Sequence, residues 1–169
     1  MYRANKLEGI HKMATRSRIA MKLRSGKYVS AYHHYDGYPA GLGYNLVKNY
    51  DDDNKALEAI NLGDASYWKE EVYPQTESHS FSSPEEGVNV YYGRDRGEEN
   101  VGFVMHDTLE QLLEDYNMAG EEYLYVRENG KWGMHSRYGK DEFIADAEDD
   151  IILARAGMIQ MYRKENALG

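Results

Sequence analysis

A chain of 169 residues and 19.5 kDa has room for one hydrophobic core that buries roughly 70% of the unfolded surface, which argues against two large domains. Hydrophobic residues at 41% and charged residues at 29% exclude a disordered or fibrous class, and the lack of cysteine excludes disulfides, zinc thiolates, iron–sulfur clusters and a cysteine nucleophile. The formal charge of −9 is uneven, with eight Lys/Arg and one acid in residues 1–28 against twelve and 28 in the remainder, and an acidic body of that kind repels the phosphates of duplex nucleic acid.

Met13 to Ala20, MATRSRIA, reads as the natural start of a first strand, which leaves residues 1–12 as a basic N-terminal extension. Arg18 to Leu23 and Tyr28 to His33 alternate polar and apolar residues around Arg24-Ser25-Gly26, the pattern of a β-hairpin whose turn uses glycine. Asp36-Gly37-Tyr38-Pro39 is a turn by composition, and Leu42, Leu46 and Val47 after it recur at helical spacing. Asp51 to Asp53 cap a second helix with an apolar stripe of Ala56, Leu57 and Ile60, ended by Gly63.

Ala65 to Gly87, with Pro74, Pro84 and repeated serine, reads as a long ordered loop. VNVYYG and VGFVMH, on either side of Arg94 to Asn100, predict a second hairpin with a long tip. Thr108 caps an amphipathic helix with Leu109, Leu112, Leu113 and Tyr116 on one face. EEYLYV and KWGMHS around Asn129-Gly130 predict a third hairpin. The segment from Asp141 is acidic first and basic at Arg163 and Lys164, the polarity a helix dipole favours.

The expected class is therefore α+β: a largely antiparallel sheet built from three hairpins, with helices packed on it and a C-terminal helical segment. The division is a basic extension over 1–12, one α+β domain over 13–140 and a helical extension over 141–169. Its broken apolar stripe suggests a homo-oligomer or partner contact. No apolar run reaches the roughly 18 residues of a membrane helix, and the start lacks a signal peptide's hydrophobic stretch, so the expected location is the cytoplasm.

Candidate chemistry sits in three clusters. In YHHYDGYP, a strand end delivers His33 and His34 to opposite faces before Asp36. A metal would need a third ligand such as His79, His106 or His135, and without HxH or HExxH spacing a hydrogen-bonded structural histidine is the favoured reading. In YYGRDRGEEN, Arg94 and Arg96 are forks suited to phosphate or carboxylate, and Tyr91 and Tyr92 can stack on a ring. The competing reading is a solvated tip in which both arginines pair with Asp95, Glu98 and Glu99. In HSFSSPEEG, His79 stands near Ser80, Ser82 and Ser83, but no GxSxG elbow accompanies them, and a loop that closes over a ligand is preferred to acyl transfer. GYPAGLGYN lacks the Lys-Ser/Thr ending of a P-loop. The acidic runs Asp51-Asp52-Asp53 and Glu148-Asp149-Asp150 read as helix caps and solvated faces rather than as phosphate mimics. No cofactor is expected.

Taken in order, MATRSRIA, YHHYDGYPAGLGYNL, INLGD, HSFSSPEEGVNVYYGRDRGE and GEEYLYVRENGKW resemble a family of small phage and prophage proteins over about residues 13–133. Typical members are similar to His-Trp-Asp-Gly-Tyr-Pro where this chain has His34-Tyr35-Asp36-Gly37-Tyr38-Pro39, and the part from about Asp141 departs from the family. The resemblance carries no catalytic residue; it implies a phage origin and expression in a bacterial host cytoplasm. Small accessory proteins of this kind often act by stoichiometric capture. The leading expectation is thus a non-enzymatic binder that sequesters a small anionic, nucleotide-like host signalling molecule, through Arg94, Arg96, Tyr91, Tyr92, His34, Tyr35, Asp36 and His79. The alternative is an inhibitor that binds a host protein through its acidic surface. A third reading is a metal-dependent hydrolase using His33 or His34, Asp36 and His79.

Overall fold

The computed structural model describes residues 14–137. The expected extension over 1–12 and the helical segment over 141–169, with its oligomer contact, lie outside the described residues. Strands β1 (Ser17–Lys22) and β2 (Tyr28–His33) form the expected antiparallel hairpin, with Gly26 at φ 91° in its turn. The pair β6 (Tyr123–Glu128) and β7 (Lys131–Ser136) forms another, turned by Asn129 and Gly130 at φ 54° and 71°. The two hairpins are joined by parallel pairing of β1 with β6.

The second predicted hairpin does not form. Its first strand, β4 (Val90–Tyr91), pairs with β3 (Ala65–Tyr67), and its second, β5 (Val104–His106), pairs with β2. Between them the chain coils into a short helix, α3 (Tyr92–Arg96), closed by Gly97 at φ 72°. It is then drawn sideways, where Asp64 N–H donates to the Val101 carbonyl at 2.8 Å. Gly63, at φ 88°, is indispensable to that crossing, because a Cβ there would strike the Val101 carbonyl. The result is a seven-stranded mixed sheet of order β4-β3-β2-β1-β6-β7, with β5 beside β2, mostly antiparallel but parallel at β1–β6 and β2–β3.

Strand alternation sorts side chains to two faces. Ile19, Met21, Val29, Ala31, Tyr125 and Met134 face two helices, α1 (Tyr44–Asn49) and α2 (Asp53–Asn61), and share a core with Leu46, Ala56, Ala59 and Ile60. Asp52 caps α2, accepting Lys55 N–H at 3.0 Å. Ala20, Tyr28, Leu124 and Val126 face α4 (Leu109–Ala119), which buries Leu112 and Tyr116 on them. Thr108 caps α4, accepting Gln111 N–H at 3.1 Å. Among the described residues, no helix is long and apolar enough to cross a membrane.

Candidate functional site

The corner that matters lies past the ends of β2 and β3. Gly37 N–H donates to the Thr15 carbonyl at 3.0 Å, and a Cβ on Gly37 would collide with Ser17 Oγ and the Thr15 carbonyl, so only glycine fits. Tyr125 Oη donates to the Gly37 carbonyl at 2.7 Å. With Asp36 held at φ 63°, the chain reverses into a π-helical turn, Pro39–Gly43, that feeds α1. Across from that turn run Tyr67 to Glu70, tied to α1 by Asn45 Nδ2, which donates to the Trp68 and Lys69 carbonyls at 3.3 and 3.1 Å.

Between these two walls lies a cleft of about 270 Å³. Tyr35, Tyr38, Tyr44 and Tyr67 line it with Trp68, and Lys48 and Lys69 stand at its rim. Lys48 Nζ lies 5.6 Å from the Tyr44 ring centroid and Lys69 Nζ 5.2 Å from that of Tyr67. Among the described residues neither ammonium has a carboxylate partner. Asp36 and Glu70 also border the cleft. Trp68, 4% exposed and packed on Tyr50 at 4.9 Å, has an enclosed Nε1–H with no acceptor among the described residues. Such a group ordinarily costs roughly 1–3 kcal/mol.

His33 belongs to the floor of this cleft but has no free nitrogen. Its Nε2 accepts Trp68 N–H at 3.1 Å, so Nδ1 carries the proton and donates to Ser17 Oγ at 3.2 Å. Complete burial pulls its pKa down to about 3, with His34 and Lys69 adding to the effect. His34 points to the other face, where its Nδ1 and the Tyr32 hydroxyl share a hydrogen bond of 2.6 Å. Burial lowers the His34 pKa and raises that of Tyr32 to about 12.

The sequence-predicted residues separate into two groups. Tyr91 is wholly buried and donates its hydroxyl to the Ala59 carbonyl at 2.9 Å. Arg94 donates to the Val72 and Asn89 carbonyls at 2.6 and 2.8 Å and to Asp95 at 2.8 Å, with its guanidinium over the Tyr91 ring. His79 Nδ1 accepts Glu85 N–H at 2.9 Å, and its Nε2 faces Asp95 Oδ1 at 3.3 Å. Burial would raise the Asp95 pKa, but Arg94, the Tyr91 N–H and His79 outweigh it and hold the group below the usual carboxylate range. These residues fasten the long loop to α3.

Arg96, Tyr92, His34 and Tyr35 are brought together near the surface. The Arg96 guanidinium carbon lies beside Phe81 and Tyr92, 4.3 and 4.7 Å from their centroids. Tyr35 meets the His34 ring edge-on at 4.5 Å, and Tyr35 and Asp36 border the cleft. Lys48, Lys69, Tyr38, Tyr44, Tyr67 and Trp68 were not singled out by the sequence reading. The density of tyrosine around GYPAGLGYN is the signal that points to them.

On the α4 face stands a chain with the order of a nucleophile, base and acid. Asp115 Oδ2 is 2.7 Å from His106 Nδ1, and His106 Nε2 is 2.7 Å from Ser30 Oγ. Ser30 has no exposed surface, and its Oγ also accepts from Arg18, which is held in turn by Glu121 at 2.9 Å. No substrate reaches an enclosed mid-strand hydroxyl, so the array reads as a polar brace joining β1, β2, β5 and α4 rather than as a triad. Among the described residues no group of three His, Asp or Glu is placed to hold a metal. Comparisons with protein-family models, with curated proteins and with solved structures find no match to the chain.

Proposed function

We propose that the protein is a non-enzymatic phage accessory protein that binds and sequesters a small anionic, nucleotide-like molecule of the host. The observation that carries this reading is the cleft, where exposed tyrosine rings and two ammonium groups without carboxylate partners surround a space of ligand dimensions. Aromatic walls suit a planar ring. The lysines at the rim suit phosphate, and among the described residues no carboxylate holds them away from it. In a chain of net charge −9, two such lysines on one cleft favour an anion locally where the wider surface repels it. The neighbouring His33 is neutral and sealed, which suits a binding wall better than proton transfer.

Native mass spectrometry after incubation with a deproteinised extract of phage-infected cells tests the reading. The expected result is one retained nucleotide-like mass, lost in a Lys48→Ala/Lys69→Ala variant. A clean spectrum of the free protein from such extracts would contradict it.

A second reading, inhibition of a host protein, has one observation in its favour. Phe103, Val104 and Met105 are consecutive and 47%, 43% and 45% exposed on or beside the short strand β5, a run of apolar surface of the sort that marks protein contacts. A clean spectrum with small-molecule extracts, followed by capture of one host protein that Val104→Lys abolishes, would favour that reading.

A further inference from the structure

We infer that the sequestered molecule is bipartite, with two ring-bearing units joined through phosphate as in a dinucleotide: one unit enters the cleft and the other lies across Tyr35 on the shelf of Tyr92, Phe81 and Arg96. The inference rests on the reading of the cleft given above and goes on to specify its occupant.

Volume is the first argument. A cleft of about 270 Å³ falls just below the roughly 300–1,000 Å³ of sites that enclose a drug-sized ligand, so it holds one ring-bearing unit and leaves a larger molecule to continue outside. Tyr35 shows where it continues. Tyr35 borders the cleft and is 39% exposed, and the backbone around β3 connects it to the shelf: the Ser66 carbonyl accepts Tyr35 N–H at 2.8 Å, and the Asp64 carbonyl accepts Tyr92 N–H at 3.1 Å.

The shelf, like the cleft, sets a cation beside aromatic rings, here one paired with a carboxylate. Phe81 and Tyr92 stand 5.7 Å apart, inclined at 33°, with the Arg96 guanidinium carbon 4.3 and 4.7 Å from their centroids. Arg96 is 47% exposed along its side chain and uses Nη2 on Glu98 at 2.6 Å, so Nε and Nη1 remain available. Rings packed beside the guanidinium confine it and so reduce the freedom it loses on meeting a phosphate. His34 adds a polar ring edge beside Tyr35, its Nδ1 hydrogen-bonded to the Tyr32 hydroxyl. A mononucleotide has one ring and one phosphate and satisfies one end; a molecule with two such units gains from both through effective concentration.

The test measures by calorimetry the affinity of the full chain for 5′-phosphorylated mononucleotides, pA and pU, and for the linear dinucleotides pApA and pUpU. The expected result is that at least one dinucleotide binds tenfold or more tightly than its mononucleotide. Arg96→Ala then brings the dinucleotide down to the level of the mononucleotide, whose own affinity is unchanged. Arg96→Lys, which keeps the charge but not the planar fork of donors, falls in between. Lys48→Ala/Lys69→Ala weakens both ligands. Equal affinities of mono- and dinucleotide, with Arg96→Ala neutral, would overturn the bipartite inference and leave the cleft reading intact. No binding of any of the four would overturn both.

Discussion

Arg94 and Arg96 lie two residues apart on one short helix and meet opposite fates. Arg94 is turned inward, with two loop carbonyls, Asp95 and the Tyr91 ring around it; Arg96 lies half exposed across two rings. The same contrast separates the loop anchor from the cleft. At the anchor, Asp95, Tyr91 and Arg94 complete one another beside His79, whereas the lysines of the cleft have aromatic neighbours and, among the described residues, no carboxylate. Residue type alone does not mark a binding group. A cation whose bonding capacity is already filled by the protein is structure, and one left with open donors beside an exposed ring is available to a ligand.

Substitutions can break or sharpen that contrast. The largest effect is expected at the anchor. Arg94→Ala takes the guanidinium from an enclosed Asp95 carboxylate that keeps only the Tyr91 N–H and His79, and leaves two carbonyls without their donor, and denaturant unfolding should show a loss of about 3 kcal/mol; a loss below about 1 kcal/mol would place Arg94 with the open cations instead. Next comes the floor of the cleft. His33 has a folded pKa of about 3 against an ordinary 6.5, so the folded state binds fewer protons. Its contribution is intact above pH 6.5 and is lost as pH falls from there towards 3. Between pH 7 and pH 5 the difference between wild type and His33→Gln should shrink by about 2 kcal/mol. The comparison with the variant is needed because Asp64 and Glu121, raised by burial, contribute with the opposite sign. A difference that stays constant over this range would show that His33 is not held neutral. The smallest effect belongs to the rim: Lys48→Ala/Lys69→Ala should change unfolding stability by less than about 0.5 kcal/mol while removing ligand binding. A large loss of stability would make the lysines part of the fold.

Local chemistry was legible in the sequence and long-range pairing was not. The Gly26 and Asn129-Gly130 turns fix two hairpins within a few residues, and Asp52 and Thr108 cap α2 and α4 as their side chains dictate. The strands around Arg94 to Asn100 alternate as a hairpin would, yet β4 and β5 join different neighbours, because the intervening helix and the Asp64–Val101 hydrogen bond are decided by packing across the sheet. Tyr91 and Tyr92 look alike in sequence, and strand geometry sends the first to the core and the second to the shelf. Lys48 and Lys69 drew no attention because they are far apart in sequence and meet only when the π-helical turn faces the chain after β3. Ser30, His106 and Asp115 are likewise assembled by the sheet, and their enclosure is visible only in three dimensions.

The central claim is capture without turnover at the cleft, and phosphorus NMR of a dinucleotide mixed with stoichiometric protein tests it most directly. The expected result is a shifted or broadened phosphate signal with wild type, the unperturbed signal with Lys48→Ala/Lys69→Ala, and full recovery of the original compound after the protein is denatured. New phosphorus signals that grow with time would show an enzyme. An identical perturbation by the double variant would place the binding site elsewhere.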